Sequence, residues 1–435
     1  MKTLIKDCLV VPMTAEGTEP KYFEGSVAIS GNKIALVTDK RSVAEEWHAA
    51  NPDARVVDGR GKLLMPGLVN THTHVAMTLV RNYADDIPLM AWLNDHIWPF
   101  EARLGAEEIA LGAQLGMAEM LLGGTTTLVD MYWHEEAIGR VAQAMGIRAV
   151  LCPCFVDGPR MEEFEHSLPE TLKVASECDR LTVRVAPHSP FSVSTDNLKR
   201  GIDLALYYGI GMHTHISETL DEQRIVRERY GRTPTEYLRD AGLFELPTIA
   251  AHCVHVTPSD IEILARHGVT AVYNSQSNMK ISSGIAPVAQ MVEAGVNVAI
   301  GTDGASSNND LDMIEEMRTG SFLQKVAGDN PVVMPAYQML KLATVGGAVA
   351  IGMGEELGRI APGMLADMVM LDIEKPHFHP RNDMIAGIVY CAKAADVDTV
   401  FVDGRMVVAG GRVVGLDTEG LYRRIDRTVR DIIAK

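Results

Sequence analysis

The sequence has 435 residues and no surplus of positive charge: 40 Lys and Arg stand against 57 Asp and Glu, a formal net charge of -17. Such a surface repels phosphate backbones and anionic lipid, which excludes nucleic acid and membrane surfaces as expected partners. Long hydrophobic runs are also missing; no stretch approaches the roughly 18 apolar residues of a membrane span. The opening run from Met1 to Val11 carries Lys2, Lys6 and Asp7 and lacks the unbroken apolar stretch of a signal peptide. The six cysteines (Cys8, Cys152, Cys154, Cys178, Cys253 and Cys391) contain no CxxC pair. In a long chain without a secretion signal they read as reduced, mostly buried thiols, and a cytoplasmic protein is expected. Low-complexity tracts and short repeats are absent too. What remains is a chain that is 47% hydrophobic, enough to fill one large domain and a smaller one.

The two ends of the chain share a texture of short strands and tight turns. Leu4–Val11, Ser26–Ser30 and Lys33–Val37 read as strands, with Gly31-Asn32 as a hairpin turn between the last two. Near the other end, Asp367–Leu371 and Thr399–Val402 read likewise, Asp403-Gly404 turns into Arg405–Ala409, and a polar-faced helix is expected from about Thr418. Between them, apolar runs alternate with amphipathic helical stretches. The runs are Leu64–Thr71, Thr125–Met131, Arg148–Cys154, Thr182–Pro187, Ile210–His215, Thr248–Cys253, Val269–Asn274 and Asn297–Thr302. Eight strand–helix alternations predict an α/β fold, a (β/α)8 TIM-type barrel with a small β-sandwich domain built from both termini. The expected division assigns residues 1–64 and 363–435 to the small domain and 65–362 to the barrel.

Barrel enzymes carry their chemistry at the C-terminal ends of the strands, and the polar residues of this chain gather there. The first strand runs into Asn70-Thr71-His72-Thr73-His74. Alternate side chains of an extended segment share a face, so His72 and His74 point together. The fifth contains His213-Thr214-His215. Spacing alone allows either histidine as a ligand; His215 is favoured because it lies nearer the strand's C-terminal end, and His213 reads as a barrel-interior residue. The sixth ends in His252, with His255 further into the loop, and the eighth in Gly301-Thr302-Asp303-Gly304. His72, His74, His215 and Asp303 together suit one divalent transition metal with a position left for water. A second metal needs a further bridging anion, typically a carbamylated lysine. The fourth strand, Val183-Arg184-Val185-Ala186-Pro187-His188, has no lysine, so one Zn2+ per chain is expected.

Pro66–His74, His215-Ile216-Ser217-Glu218, His252–His255 and Gly301–Gly304 together resemble the aminohydrolase branch of the amidohydrolase superfamily. Gly363–Val369 and Val402–Arg405 resemble the return of that superfamily's small β domain, so the likeness spans almost the whole chain. Within the branch, Asp85-Asp86-Ile87-Pro88-Leu89-Met90-Ala91-Trp92-Leu93, then Ile97-Trp98-Pro99 and Glu101, looks like the methylthioadenosine/S-adenosylhomocysteine deaminases. That resemblance implies that Glu101 holds the ribose hydroxyls, Trp92 packs near the nucleoside and His188 contacts it. It also implies a homo-oligomer in which Arg160, of Gly158-Pro159-Arg160, can reach the substrate tail in a neighbouring subunit's site; residue type alone favours a solvated surface arginine. The family's second arginine after the third strand is replaced by Cys152-Pro153-Cys154, which favours a small methylthio or 5′-deoxy nucleoside over S-adenosylhomocysteine.

The implied reaction is hydrolytic deamination. Zinc-bound hydroxide attacks the amino-bearing ring carbon, Glu218 protonates the adjacent ring nitrogen, His252 orients the hydroxide, and Asp303 carries a proton to the leaving ammonia. Competing readings are deamination or dehalogenation of another heterocycle (a guanine derivative, pterin or triazine), cyclic-amide hydrolysis, a two-His-one-carboxylate oxygenase, and a non-catalytic metal-binding scaffold.

Overall fold

A computed structural model describes residues 1–14, 21–87 and 91–434. Its centre is a barrel of eight parallel strands: Leu68–Thr73, Thr125–Tyr132, Arg148–Phe155, Leu181–Pro187, Gly211–Ile216, Thr248–His252, Thr270–Tyr273 and Val298–Ile300. These strands are buried along almost their whole length, as expected where helices cover one face and the barrel core the other. The eighth strand returns to the first largely through side chains. Asn70 Nδ2 donates to Thr302 Oγ1 at 2.8 Å, Thr302 N donates to Asn70 Oδ1 at 3.0 Å, and Thr71 Oγ1 donates to Ile300 O at 2.8 Å. Asp303 N donates to His72 O at 2.9 Å. The seam therefore fixes Asp303 against the histidine strand.

The first barrel strand differs from its sequence expectation. The apolar run from Leu63 onwards is split between two sheets: Lys62–Pro66 pairs antiparallel with Met368–Asp372, and the barrel strand starts at Leu68. Gly67 is the joint. A Cβ there would stand 2.1 Å from Thr126 Oγ1, so no larger residue fits without a shift.

Lys62–Pro66 lies within a nine-stranded mixed sheet drawn from both ends of the chain. In order, this sheet runs Arg412–Val413, Arg405–Ala409, Val397–Val402, Met368–Asp372, Lys62–Pro66, Lys2–Val10, Phe23–Ser30 and Lys33–Thr38, with Arg55–Asp58 also paired to Lys2–Val10. Ser30 faces Lys33 across Gly31-Asn32, and Val402 faces Arg405 across Asp403-Gly404, the two hairpins that these dipeptides predict. Ile5, Val27, Ile29, Leu64, Met368 and Phe401 share its core. Arg148, at the start of the third barrel strand, ties barrel to sheet. Its guanidinium meets Asp367 at 3.0 and 3.2 Å, and both side chains are buried. Among the described residues, no helix is long and apolar enough to cross a membrane.

Candidate active site

The C-terminal strand ends open into one cavity of about 510 Å³, within the range of small-molecule sites. His74, His188, His215, Glu218, His252 and Asp303 line it, as do Trp92, Glu101 and Arg160. His72 is fully buried beside them, its ring centroid 4.9 Å from those of His74 and His215 and 5.4 Å from that of His252. The structure thus brings all the predicted site residues to one place. Pro88, Leu89 and Met90 of the quoted motif lie outside the described residues.

The hydrogen bonds around the imidazoles assign their protons. His213 Nδ1 lies 3.0 Å from Ile249 O, which can only accept, so this nitrogen carries the proton. His213 Nε2 then accepts from His72 Nδ1 at 2.9 Å. This leaves His72 Nε2 as a buried lone pair with no hydrogen-bond partner among the described residues. His74 Nδ1 donates to Met131 O at 2.6 Å and His215 Nδ1 to His188 O at 2.8 Å, so their Nε2 atoms are lone pairs too. One ligand atom from each of His72, His74 and His215 falls within 4.8 Å of the others. Asp303 Oδ1 stands 3.4 Å from His72 Nε2 and 3.3 Å from His74 Nε2. Three lone pairs and a carboxylate that converge without a proton between them repel one another, and a divalent cation resolves the repulsion. Nitrogen donors with one carboxylate fit zinc, and carbonyls that fix each ring through its second nitrogen are the usual support for such ligands.

His252 has the opposite tautomer. Its Nδ1 faces the Asn278 amide nitrogen at 2.9 Å, so Nδ1 accepts and Nε2 carries the proton. His252 also lies within reach of His72 and Asp303, but a protonated nitrogen donates and does not ligate. That N–H is 3.8 Å from Glu218 Oε2.

Burial, and next to it Asp303, pushes the Glu218 carboxyl up to about 8, so it is protonated at neutral pH. Burial brings His252 and His72 down to about 4 and His188 to about 3, leaving them neutral. Donors that face the Asp303 carboxylate hold it charged: Gly304 N donates to its Oδ1 at 2.8 Å. Ser277 Oγ and Ser307 Oγ donate to Asp303 Oδ2 at 2.6 and 3.1 Å. Ser217, His252, Cys253 and Asp303 all adopt left-handed backbone, with φ of 53°, 73°, 49° and 65°. Each such residue costs on the order of 1–3 kcal/mol and persists where the surroundings over-determine it. The Glu222 carboxylate accomplishes this next to Glu218, accepting from Ser217 N and Glu218 N at 2.8 Å each.

Further out, Glu101 is 7% exposed and accepts at Oε1 from the Tyr132 hydroxyl at 2.6 Å. Trp92 lies in the helical segment, Trp92–Ile97 and Trp98–Glu101, that brings Glu101 to the cavity. Arg160 departs from the solvated reading. Its guanidinium lies 4.6 Å from the Trp133 ring centre and lines the cavity, because Gly158, at φ 91°, turns the chain into the helix Pro159–Ser176. Sequence reasoning passed over Asn278 and Ser277. A signal was present: Asn274 to Asn278 is an unbroken polar run directly after an apolar strand.

The amidohydrolase family matches residues 63–407. A 5-methylthioadenosine/S-adenosylhomocysteine deaminase of Pelotomaculum thermopropionicum is 44% identical over 415 residues, 94% of each chain. An adenosine deaminase from Xanthomonas campestris, crystallised with bound zinc, superimposes with a TM-score of 0.93 at 34% identity, covering 100% of this chain and 99% of its own. A zinc-complexed atrazine chlorohydrolase from Arthrobacter aurescens shares the fold, with a TM-score of 0.88 at 22% identity over 98% of this chain and all of its own.

Proposed function

The chain belongs to the amidohydrolase family and, within it, to the methylthioadenosine/S-adenosylhomocysteine deaminases; from that premise we propose that it hydrolyses the exocyclic amine of adenosine-type nucleosides, with 5′-methylthioadenosine preferred. The products are the inosine analogue and ammonia. His72, His74, His215 and Asp303 would hold one zinc. Such an ion supplies a Lewis acid and a water acidified towards a pKa of roughly 7.

The chain's own groups do the rest. The neutral Glu218 carboxyl gives its proton to the ring nitrogen beside the amino-bearing carbon, which makes that carbon electrophilic. His252 Nε2–H donates to the incoming water oxygen and aims it. The Asp303 carboxylate takes one proton of the water and passes it to the leaving amine, and the second returns to Glu218 as the carbonyl forms and ammonia departs. Glu101 accepts from the ribose hydroxyls, Trp92 packs against the nucleoside and His188 contacts it. Arg160 is the one Arg or Lys among the described residues of the lining, and it is already paired with Glu163, so a small uncharged 5′ substituent suits the cavity better than an amino-acid tail.

The observation that carries this reading is the division of tautomers, three imidazole lone pairs gathered together, two of them beside Asp303, and one N–H, on His252, 3.8 Å from a protonated Glu218. The test is ammonia release by zinc-loaded protein from 5′-methylthioadenosine, S-adenosylhomocysteine, adenosine, guanine and pterins. The methylthio substrate is expected to give the highest kcat/KM. Glu218→Gln is expected to keep about one zinc per chain and to lose turnover by about 10²–10⁴-fold. Near-normal deamination by that variant removes Glu218 from the mechanism.

A further inference from the structure

We propose that Tyr132 sets the ribose selectivity of this site, as a positioning residue for Glu101; the inference rests on the nucleoside reading above. Tyr132 is the last residue of the second barrel strand, and 3% of its surface is exposed. Its hydroxyl donates to Glu101 Oε1 at 2.6 Å; a carboxylate oxygen only accepts, so the phenol is the donor. The two partners come from different parts of the chain. Glu101 ends the short helical turn Trp98–Glu101, which lies outside the barrel strands, whereas Tyr132 belongs to the barrel wall.

Tyr132 is held from behind as well. Its backbone N–H donates at 3.0 Å to Oε1 of Glu135, which is fully buried. The Tyr132 ring lies beside the metal-ligand candidates, 6.4 Å from His74 between centroids. The phenol therefore spans from the reacting end of the cavity to the residue that reads the sugar.

A carboxylate discriminates a vicinal diol only when its acceptor positions face both hydroxyls. By occupying Oε1, Tyr132 fixes the rotation of the Glu101 carboxylate and turns the remaining acceptor positions into the cavity. It also favours the ionised form that accepts, against the burial that opposes it. Without the phenol hydroxyl, Glu101 still lies in the cavity but has lost the bond that orients it. Selectivity for the ribose is then lost while the chemistry at the purine continues.

The test is Tyr132→Phe, which keeps the ring and removes the donor. Zinc-loaded wild type and variant are compared on 5′-methylthioadenosine and its 2′-deoxy and 3′-deoxy analogues by steady-state kinetics. Their deaminated products are compared by titration calorimetry, which reads ribose contacts without turnover. KM for the ribose substrate is expected to rise about tenfold with kcat within about threefold, and the ribo-over-deoxy ratio to shrink about tenfold in both measurements. In a Glu101→Ala background, which removes the acceptor, Tyr132→Phe is expected to change nothing further. An equal loss on every analogue, or full additivity with Glu101→Ala, reduces Tyr132 to a packing residue and overturns the proposal. Tyr132→Leu, which carries no donor, replaces Tyr132→Phe if that variant folds poorly. Wild type that binds ribose products selectively but releases no ammonia refutes the deaminase reading, and the binding ratio alone then decides the role of Tyr132. Ammonia release without ribose preference refutes the Tyr132 role and leaves deamination standing.

Discussion

Glu218 keeps at neutral pH a proton that a solvent-exposed glutamate has already lost. Burial in a closed cavity, next to a carboxylate that stays charged, lifts its carboxyl from 4.5 to about 8. A proton donor works only while it holds its proton, and that fraction falls as pH climbs through the folded value. The kcat/KM of the wild type is therefore expected to decline above about 8, by about tenfold per pH unit well beyond the inflection, in a pH–rate profile. A profile still level at pH 10 removes Glu218 as the acid. The candidate ligands were legible as residues, because HxH and Asp at strand ends are local patterns. Their proton states were not. Those depend on Met131 O, His188 O, Ile249 O and the Asn278 amide, partners that only the closed barrel brings near.

A strand that must change sheets needs a joint, and Pro66-Gly67 supplies it. The sequence showed eight strands because each apolar run is bounded by turns or amphipathic helix. The domain boundary expected after Leu64 lies close to this joint, but the change of partner there, from Met368–Asp372 to Thr125–Tyr132, leaves no local trace. Gly67→Ala forces a methyl against Thr126, whose Oγ1 would be 2.1 Å away. Its melting temperature is expected to fall by several degrees, the equivalent of about 1–3 kcal/mol of overpacking. Thr126→Ala in the same chain recovers part of that loss, which calorimetry on the single and double variants would read. Arg160 was legible in part: residue type alone favoured solvent, the Gly158-Pro159-Arg160 resemblance pointed to a substrate site, and its place against Trp133 is visible only in the fold.

An ion pair and one continuous apolar core span barrel and sheet. Arg148 meets Asp367 in a buried pocket, and Asp367 Oδ1 also accepts from Asp403 N at 2.7 Å. Arg148→Met is expected to destabilise the whole chain by about 3–5 kcal/mol, since it strands a buried carboxylate. The paired Arg148→Met/Asp367→Leu variant is expected to lose less, as read from urea midpoints. The mixed sheet carries a consequence for synthesis as well. Lys62–Pro66 lies between Lys2–Val10 and Met368–Asp372, so on the ribosome one flank of the early hairpins stays bare until the last quarter of the polypeptide emerges. At about 5–20 residues per second, the roughly 300 residues in between take on the order of 15–60 s. For that interval the nascent chain presents a sticky, unsatisfied border, and its safe delivery depends on how quickly the barrel closes or a chaperone shields it.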